Sequence, residues 1–195
     1  AGFGLFLELD HGLLQLLQVG LADAVCDQAN SAYLDHGARL EVLDQPRWVD
    51  AALERYRETV VDQRFAPLLE EGGGIEAIVA VFDFYGAAGV GPAAGRGCLL
   101  CNTAIELGPN DPSGAGYVQR YFQRLSKAFY AALENAQGEG DLRPSVDLEE
   151  EASFFTASVL GLFVMLRATA PPEAIESAAR VAIEHLEALR AEAPT

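Results

Sequence analysis

The chain predicts an all-α fold, on three observations. Apolar residues recur at helical spacing along most of its length, alternating Val/Ile/Thr-rich segments with hairpin turns are missing, and glycine-rich breaks separate the periodic stretches. With 195 residues, half of them apolar, it can bury a sizeable core as one domain or one domain plus a small appendage. No internal repeat or low-complexity segment interrupts this pattern.

The opening, "AGFGLFLELDHGLLQLLQVG", is apolar but has no basic residue ahead of it and carries Glu8 and Asp10, which argues against a signal peptide. From Pro46, "PRWVDAALERYRETVVDQRFAPLLEE" places Trp48, Ala52, Leu53, Tyr56, Val60 and Phe65 at helical spacing, with proline near the start, where its missing N–H costs nothing. A short helix is expected over about Ile75 to Ala88, between two glycine-rich breaks, and another over about Gly97 to Leu107. "DPSGAGYVQRYFQRLSKAFYAALENAQGEGDL" is the strongest amphipathic stretch, its stripe running from Val118 through Tyr121, Phe122, Leu125, Phe129 and Leu133 to Ala136, with Gly138 as the expected stop.

"LEEEASFFTASVLGLFVMLRATA" begins with carboxylates, which suit the positive end of a helix dipole, and turns apolar nearly all round from Phe154 to Leu166. "PPEAIESAARVAIEHLEALRAEA" forms the last helix. A helix apolar on every side must be covered on every side. The expected cover is a second copy of the chain, in a two-fold four-helix contact over residues 147–190. Its expected interface is Phe155, Val159, Leu162, Leu166, Ile175, Ala179, Ile183 and Leu186. Burial within one chain is the alternative.

Net charge is −16, with Lys127 the single lysine. So acidic a protein repels nucleic acid on average and stays soluble, so DNA binding would need a locally basic surface. No apolar run reaches the roughly 20 residues of a membrane span. Three cysteines, an odd number, do not make a secreted disulfide framework, and a reducing cytoplasm fits best.

Cys98 and Cys101 have the spacing of a redox pair or half a zinc site. Zinc needs four ligands, and only Cys26, His11, His36 and His185 remain, with no ligand spacing. A redox pair of the thioredoxin kind sits at a strand-to-helix turn, whereas these two lie in a Leu-rich helical run. Cysteine packs readily as a small hydrophobe, so core or pocket lining is the expectation. Walker loops, G-x-S-x-G and H-E-x-x-H are absent, "GVGPAAGRG" follows no strand, and the run Glu149–Glu151 is explained by a helix start. His185 is expected at an interface or surface rather than as a general base. Enzyme activity therefore has no positive support, and neither metal nor cofactor is expected. A cavity between the helices would be lined by Phe82, Tyr85, Cys101, Thr103, Phe122, Phe129, Phe163 and Met165. Plain core filling is the alternative for each.

"RGCLLCNTAIELGPNDP", then "GDLRP" at 140–144 and "GLFVMLRA" at 161–168, resemble the C-terminal domain of the tetracycline-repressor (TetR) family, over about Ala51 to Leu189. In members similar to this chain a cysteine at position 98 is frequent, whereas Cys101 replaces a residue that is commonly aliphatic or small. The resemblance implies a helical domain that binds a small, largely apolar effector and dimerises through its last two helices. It implies a one-component transcriptional regulator, usually a repressor released from operator DNA by its ligand. The expected organisation is a helix-turn-helix region over 1–45 and a ligand-binding and dimerisation domain over 46–195. In "VGLADAVCDQANSAYLDHGARLEVLD", Ser31, Tyr33, His36 and Arg39 stand where the family's recognition helix contacts DNA. The usual Gly-Val-Ser turn is missing, and the spacing after Arg39 is compressed. Among residues 1–45 only Arg39 is basic against seven acidic residues, a net of −6. Phosphate contacts supply most non-specific DNA affinity, so this charge favours an alternative: a ligand-sensing or protein-binding dimer of the same fold that has lost DNA binding.

Overall fold

A computed structural model describes residues 57, 62–90, 94–102 and 112–191. Contacts divide the chain into two units, Ala1–Tyr56 and Arg57–Thr195, and every described residue belongs to the second.

The described residues form five α-helices and no strand: α1 (Asp62–Phe65), α2 (Ile75–Ala87), α3 (Pro112–Glu139), α4 (Leu148–Arg167) and α5 (Pro172–Ala188). A 3-10 turn, Ala66–Leu68, follows α1, and residues 99–102 make one further helical turn. None of these helices is long and apolar enough to cross a membrane.

α2 is the central helix. It buries Ile75, Ile78, Val81 and Phe82 along one stripe and packs chiefly against α5, with α3 and α4 on its other sides. Two glycines let its C-terminal end approach α5 closely. A Cβ on Gly86 would lie 2.9 Å from the Ala179 Cβ, and one on Gly89 would lie 3.1 Å from the Pro172 Cα.

α3 runs past Gly138 and stops one turn end later, at Gly140 (φ +84°). The Asp141 N–H donates to the Ala136 carbonyl (2.9 Å) and the Gly140 N–H to that of Gln137 (3.2 Å), the paired bonds of a Schellman cap. Gly138 cannot be the stop, because the positive φ that ends a helix this way falls two residues later. Asp147 then starts α4 by accepting from the N–H groups of Glu149 (3.0 Å) and Glu150 (3.1 Å), satisfying two donors with no intrahelical partner. The chain beyond α5 is clasped to the α3–α4 connection. Arg143 N–H donates to the Leu189 carbonyl (3.1 Å), and Ala191 N–H to that of Asp141 (2.8 Å).

The core is aromatic. Phe129 of α3 lies 6.2 Å from both Phe65 and Phe82 and 6.0 Å from Phe155, ring centre to ring centre. Phe82, Phe129, Phe155 and Phe163 are all fully buried, each stabilising the fold by roughly 2–3 kcal/mol through transfer from water.

This core takes up most of the residues expected at the interface. Phe155, Val159, Leu162, Leu166, Ile175, Ala179 and Leu186 are buried against the chain's own helices, and Ile183 is half-buried. They are the inward face of α4 and α5. The residues these helices turn outward are out of phase with them. Phe154 (40 % exposed), Ala157, Gly161 and Val164 (43 %) lie on α4, and Ala178 and Val181 (52 %) on α5. A helix apolar all round has both faces to spend, and the chain's own core takes the one with the larger side chains.

Candidate functional site

Residues 94–102 carry Cys98 and Cys101 into buried positions. The segment docks on the C-terminal end of α4: Gly95 N–H donates to the Leu166 carbonyl (3.0 Å), and Arg167 Nη1 donates to the Gly95 carbonyl (3.3 Å). Gly97 has φ +64°, and a Cβ there would lie 2.7 Å from the Phe163 carbonyl oxygen. Only glycine allows both the conformation and the approach. The reversal delivers Cys98 to the start of the helical turn, where its carbonyl accepts from Asn102 N–H (2.9 Å), while Asn102 Nδ2 donates back to the Arg96 carbonyl (3.0 Å).

Cys98 and Cys101 are not joined in a disulfide, and both are buried, 3 % and 4 % exposed. The Cys98 thiol shares a hydrogen bond with the Tyr121 hydroxyl of α3 at 3.2 Å. Burial pushes the Cys101 thiol up to about 11, and the neighbouring Cys98 adds to the rise. Tyr85 of α2 is also near: burial first, and then the Cys98 sulfur, raise its phenol well above the ordinary tyrosine value, while Arg64 pulls the other way. Tyr85 packs edge-on against Phe163, 4.7 Å between ring centres, and against Phe84 at 5.1 Å. Arg64 caps the ring of Phe84 from 3.5 Å. Tyr85 of α2, Cys101 of the 98–102 turn and Tyr121 of α3 thus each neighbour Cys98. Among the described residues no buried side-chain nitrogen or oxygen lacks a partner, and no three His, Cys, Asp or Glu side chains gather as metal ligands do.

The expected pocket residues divide. Tyr85 and Cys101 belong to this cluster, with Phe163 against its rim. Phe82 and Phe129 are solid core. Phe122 lies elsewhere: it lines an open groove of about 440 Å³ between α3 and α4, with Ser126, Lys127, Thr156 and Leu160 among its neighbours. Met165 is half-buried on α4. Thr103, and the expected DNA contacts Ser31, Tyr33, His36 and Arg39, lie outside the described residues. Sequence reasoning passed over Tyr121, because it falls on the amphipathic stripe and reads as core. The polar end of a tyrosine on an otherwise apolar face was the signal available. His185 of α5 faces α4, bonded to Glu151 Oε2 at 2.7 Å, its ring tilted against that of Phe154 at 4.5 Å between centres.

The arrangement of these helices is that of a TetR transcriptional regulator. A solved TetR regulator from Chloroflexus aurantiacus J-10-FL shares the fold with a TM-score of 0.64, at 21 % identity over 85 % of this chain and 84 % of its own. The chain belongs to the TetR family of transcriptional regulators: its residues 74–182 match the family's tetracyclin repressor-like C-terminal domain. It is also 29 % identical, over 140 residues, to the uncharacterized HTH-type transcriptional regulator YezE of Bacillus subtilis (strain 168), across 71 % of this chain and 70 % of that one. The family and these relatives are transcriptional regulators rather than enzymes.

Proposed function

We propose that the protein is a cytoplasmic repressor that binds operator DNA as a homodimer and is released by a small, largely apolar effector seated at the thiol–phenol cluster. The observation that carries this is the convergence of Tyr85, Cys98, Cys101 and Tyr121 inside a domain matched by the family. Buried polar groups in an apolar interior are what fix the orientation of a ligand otherwise held by surface burial. The second copy packs on the outward face of α4 and α5, through Phe154, Ala157, Gly161, Val164 and Val181, around a two-fold axis. Ser31, Tyr33, His36 and Arg39 contact the DNA. The effector acts by favouring a dimer geometry whose two heads no longer match half-sites about one helical turn apart.

The net −6 of residues 1–45 favours a second reading, a sensor or protein-binding dimer that no longer reads DNA. Fluorescence anisotropy against the DNA upstream of the protein's own gene, titrated over salt, separates the two. A repressor shows saturable binding that weakens steeply with salt. Absence of binding at low salt, with an intact dimer, leaves the second reading.

A further inference from the structure

We propose that Cys98 and Cys101 form a dithiol site that takes a trivalent arsenical as effector. The inference rests on reading the thiol–phenol cluster as the effector site. The bond from Asn102 N–H to the Cys98 carbonyl closes one helical turn over 98–102, so the two cysteines share a face, their Cβ atoms about 5–6 Å apart. Both thiols are buried, and the Cys98 sulfur is close enough to raise the Cys101 pKa further.

Several thiol reagents would suit a cysteine pair, and the surroundings choose among them. A divalent ion of the zinc kind needs four ligands, and no third His, Cys, Asp or Glu joins the pair among the described residues. Hydroperoxides and conjugated carbonyls react with thiolate, which burial suppresses here: the Cys101 thiol stays protonated up to about 11. A trivalent arsenical needs neither. Two thiols condense with an arsenic(III) oxide, RAs=O, to give RAs(SR′)2 and one water. Two S–H bonds and the arsenic–oxygen bond break, two arsenic–sulfur bonds form, and both protons leave in the water. Arsenic stays trivalent, no electrons change hands, and no thiolate is left exposed to the low dielectric. Capture of the Cys98 sulfur costs its hydrogen bond to Tyr121, and so loosens the link between the 98–102 turn and α3.

The test uses the full chain, reduced with a phosphine and titrated with phenylarsine oxide, read by intact-mass spectrometry and melting temperature. The expected result is one phenylarsenic group per chain with loss of one water, mapped to Cys98 and Cys101, removed by a dithiol and resistant to a monothiol. Cys26→Ala keeps it. Cys101→Ala, checked for folding by circular dichroism, binds about 100-fold more weakly, because the second sulfur bond is intramolecular. The dithiol-against-monothiol comparison on the unaltered chain stands even if that variant does not fold. An adduct on Cys26, equal binding by a folded Cys101→Ala variant, a monothiol-labile adduct, or disulfide formation by hydroperoxide outpacing arsenical capture overturns the proposal. If the arsenical fails while apolar compounds raise the melting temperature through the same cluster, the effector site stands and only its thiophilic chemistry falls.

Discussion

Replacing Gly97 by alanine tests how the cysteine turn is built. The residue sits at φ +64°, and an added Cβ would meet the Phe163 carbonyl oxygen at 2.7 Å, the Arg167 Cβ at 3.0 Å and the Asn102 Oδ1 at 3.4 Å. Two costs follow. An L-residue in the left-handed region costs about 1–2 kcal/mol. Forcing a methyl against a helix carbonyl that is itself held in α4 adds overpacking of about 1–3 kcal/mol. The sum is roughly 2–5 kcal/mol, and at about 3 °C per kcal/mol for a chain of this size the melting temperature falls by about 6–15 °C. Gly140→Ala separates the two contributions. That residue also has a positive φ, +84°, but an added Cβ meets nothing within 4 Å, so it should cost the conformational part alone. Urea denaturation of both variants gives the difference directly. Gly97→Ala should also loosen the Cys98–Tyr121 contact and speed alkylation of Cys98 by a maleimide. Equal losses for the two variants would mean that the turn is free to move off α4, and the packing argument for the site would fail.

Two further outcomes follow from the same geometry. Because burial raises the Cys101 pKa in the folded chain from 9.0 to about 11, its contribution to stability is fully present below about pH 9 and is lost as pH rises through about 11. Denaturation at about pH 10.5 should show roughly 2 kcal/mol less stability from this thiol than at about pH 8. Cys101→Ala should flatten that dependence, though Tyr85 keeps part of it, and an unchanged profile in the variant would refute the assignment. On the outer helix face, Val164→Glu and Val181→Glu leave the fold within about 0.5 kcal/mol of its original stability, since both residues are half exposed in the single chain. In a dimer through that face each buries an unpaired carboxylate, and sedimentation at micromolar concentration should show monomer. A dimer that persists through both changes places the interface elsewhere.

Much of the fold was legible because helical periodicity reports burial directly. The stripe from Tyr121 to Ala136 and the acidic start of α4 needed nothing but the sequence. What periodicity cannot give is phase when every face is apolar. From Phe154 to Leu166 nothing marks which side meets the chain's own core, so Phe155 and Val159 were read as interface while Phe154 and Val164 hold the outward positions. The end of α3 was missed for a similar reason. Gly138 and Gly140 are equally good stops in composition, and only the backbone reveals which one takes the positive φ. The site was half legible. Cys98 and Cys101 announced themselves by spacing, but their neighbours come from 13 residues before and 23 after Cys98, a distance that no local pattern bridges.

The placement of the 94–102 segment also bears on how an effector could act under the proposed function. A ligand shifts an equilibrium only by its difference in affinity between two arrangements, so the site must sit on something that has two. This segment is held at one end by α4, through Gly95 to Leu166 and Gly97 against Phe163, and at the other by α3, through Cys98 to Tyr121. The Cys98–Tyr121 bond is the anchor that runs through a cysteine sulfur. An effector at the cysteines would compete with that bond first. It would weaken the segment's hold on α3 while leaving its bonds to α4, the helix whose outer side forms the proposed dimer face. The arrangement therefore routes a change at the thiols into the relation between α3 and α4. A dimer with Tyr121→Phe should already lie partway toward the released state, with weaker operator affinity before any effector is added.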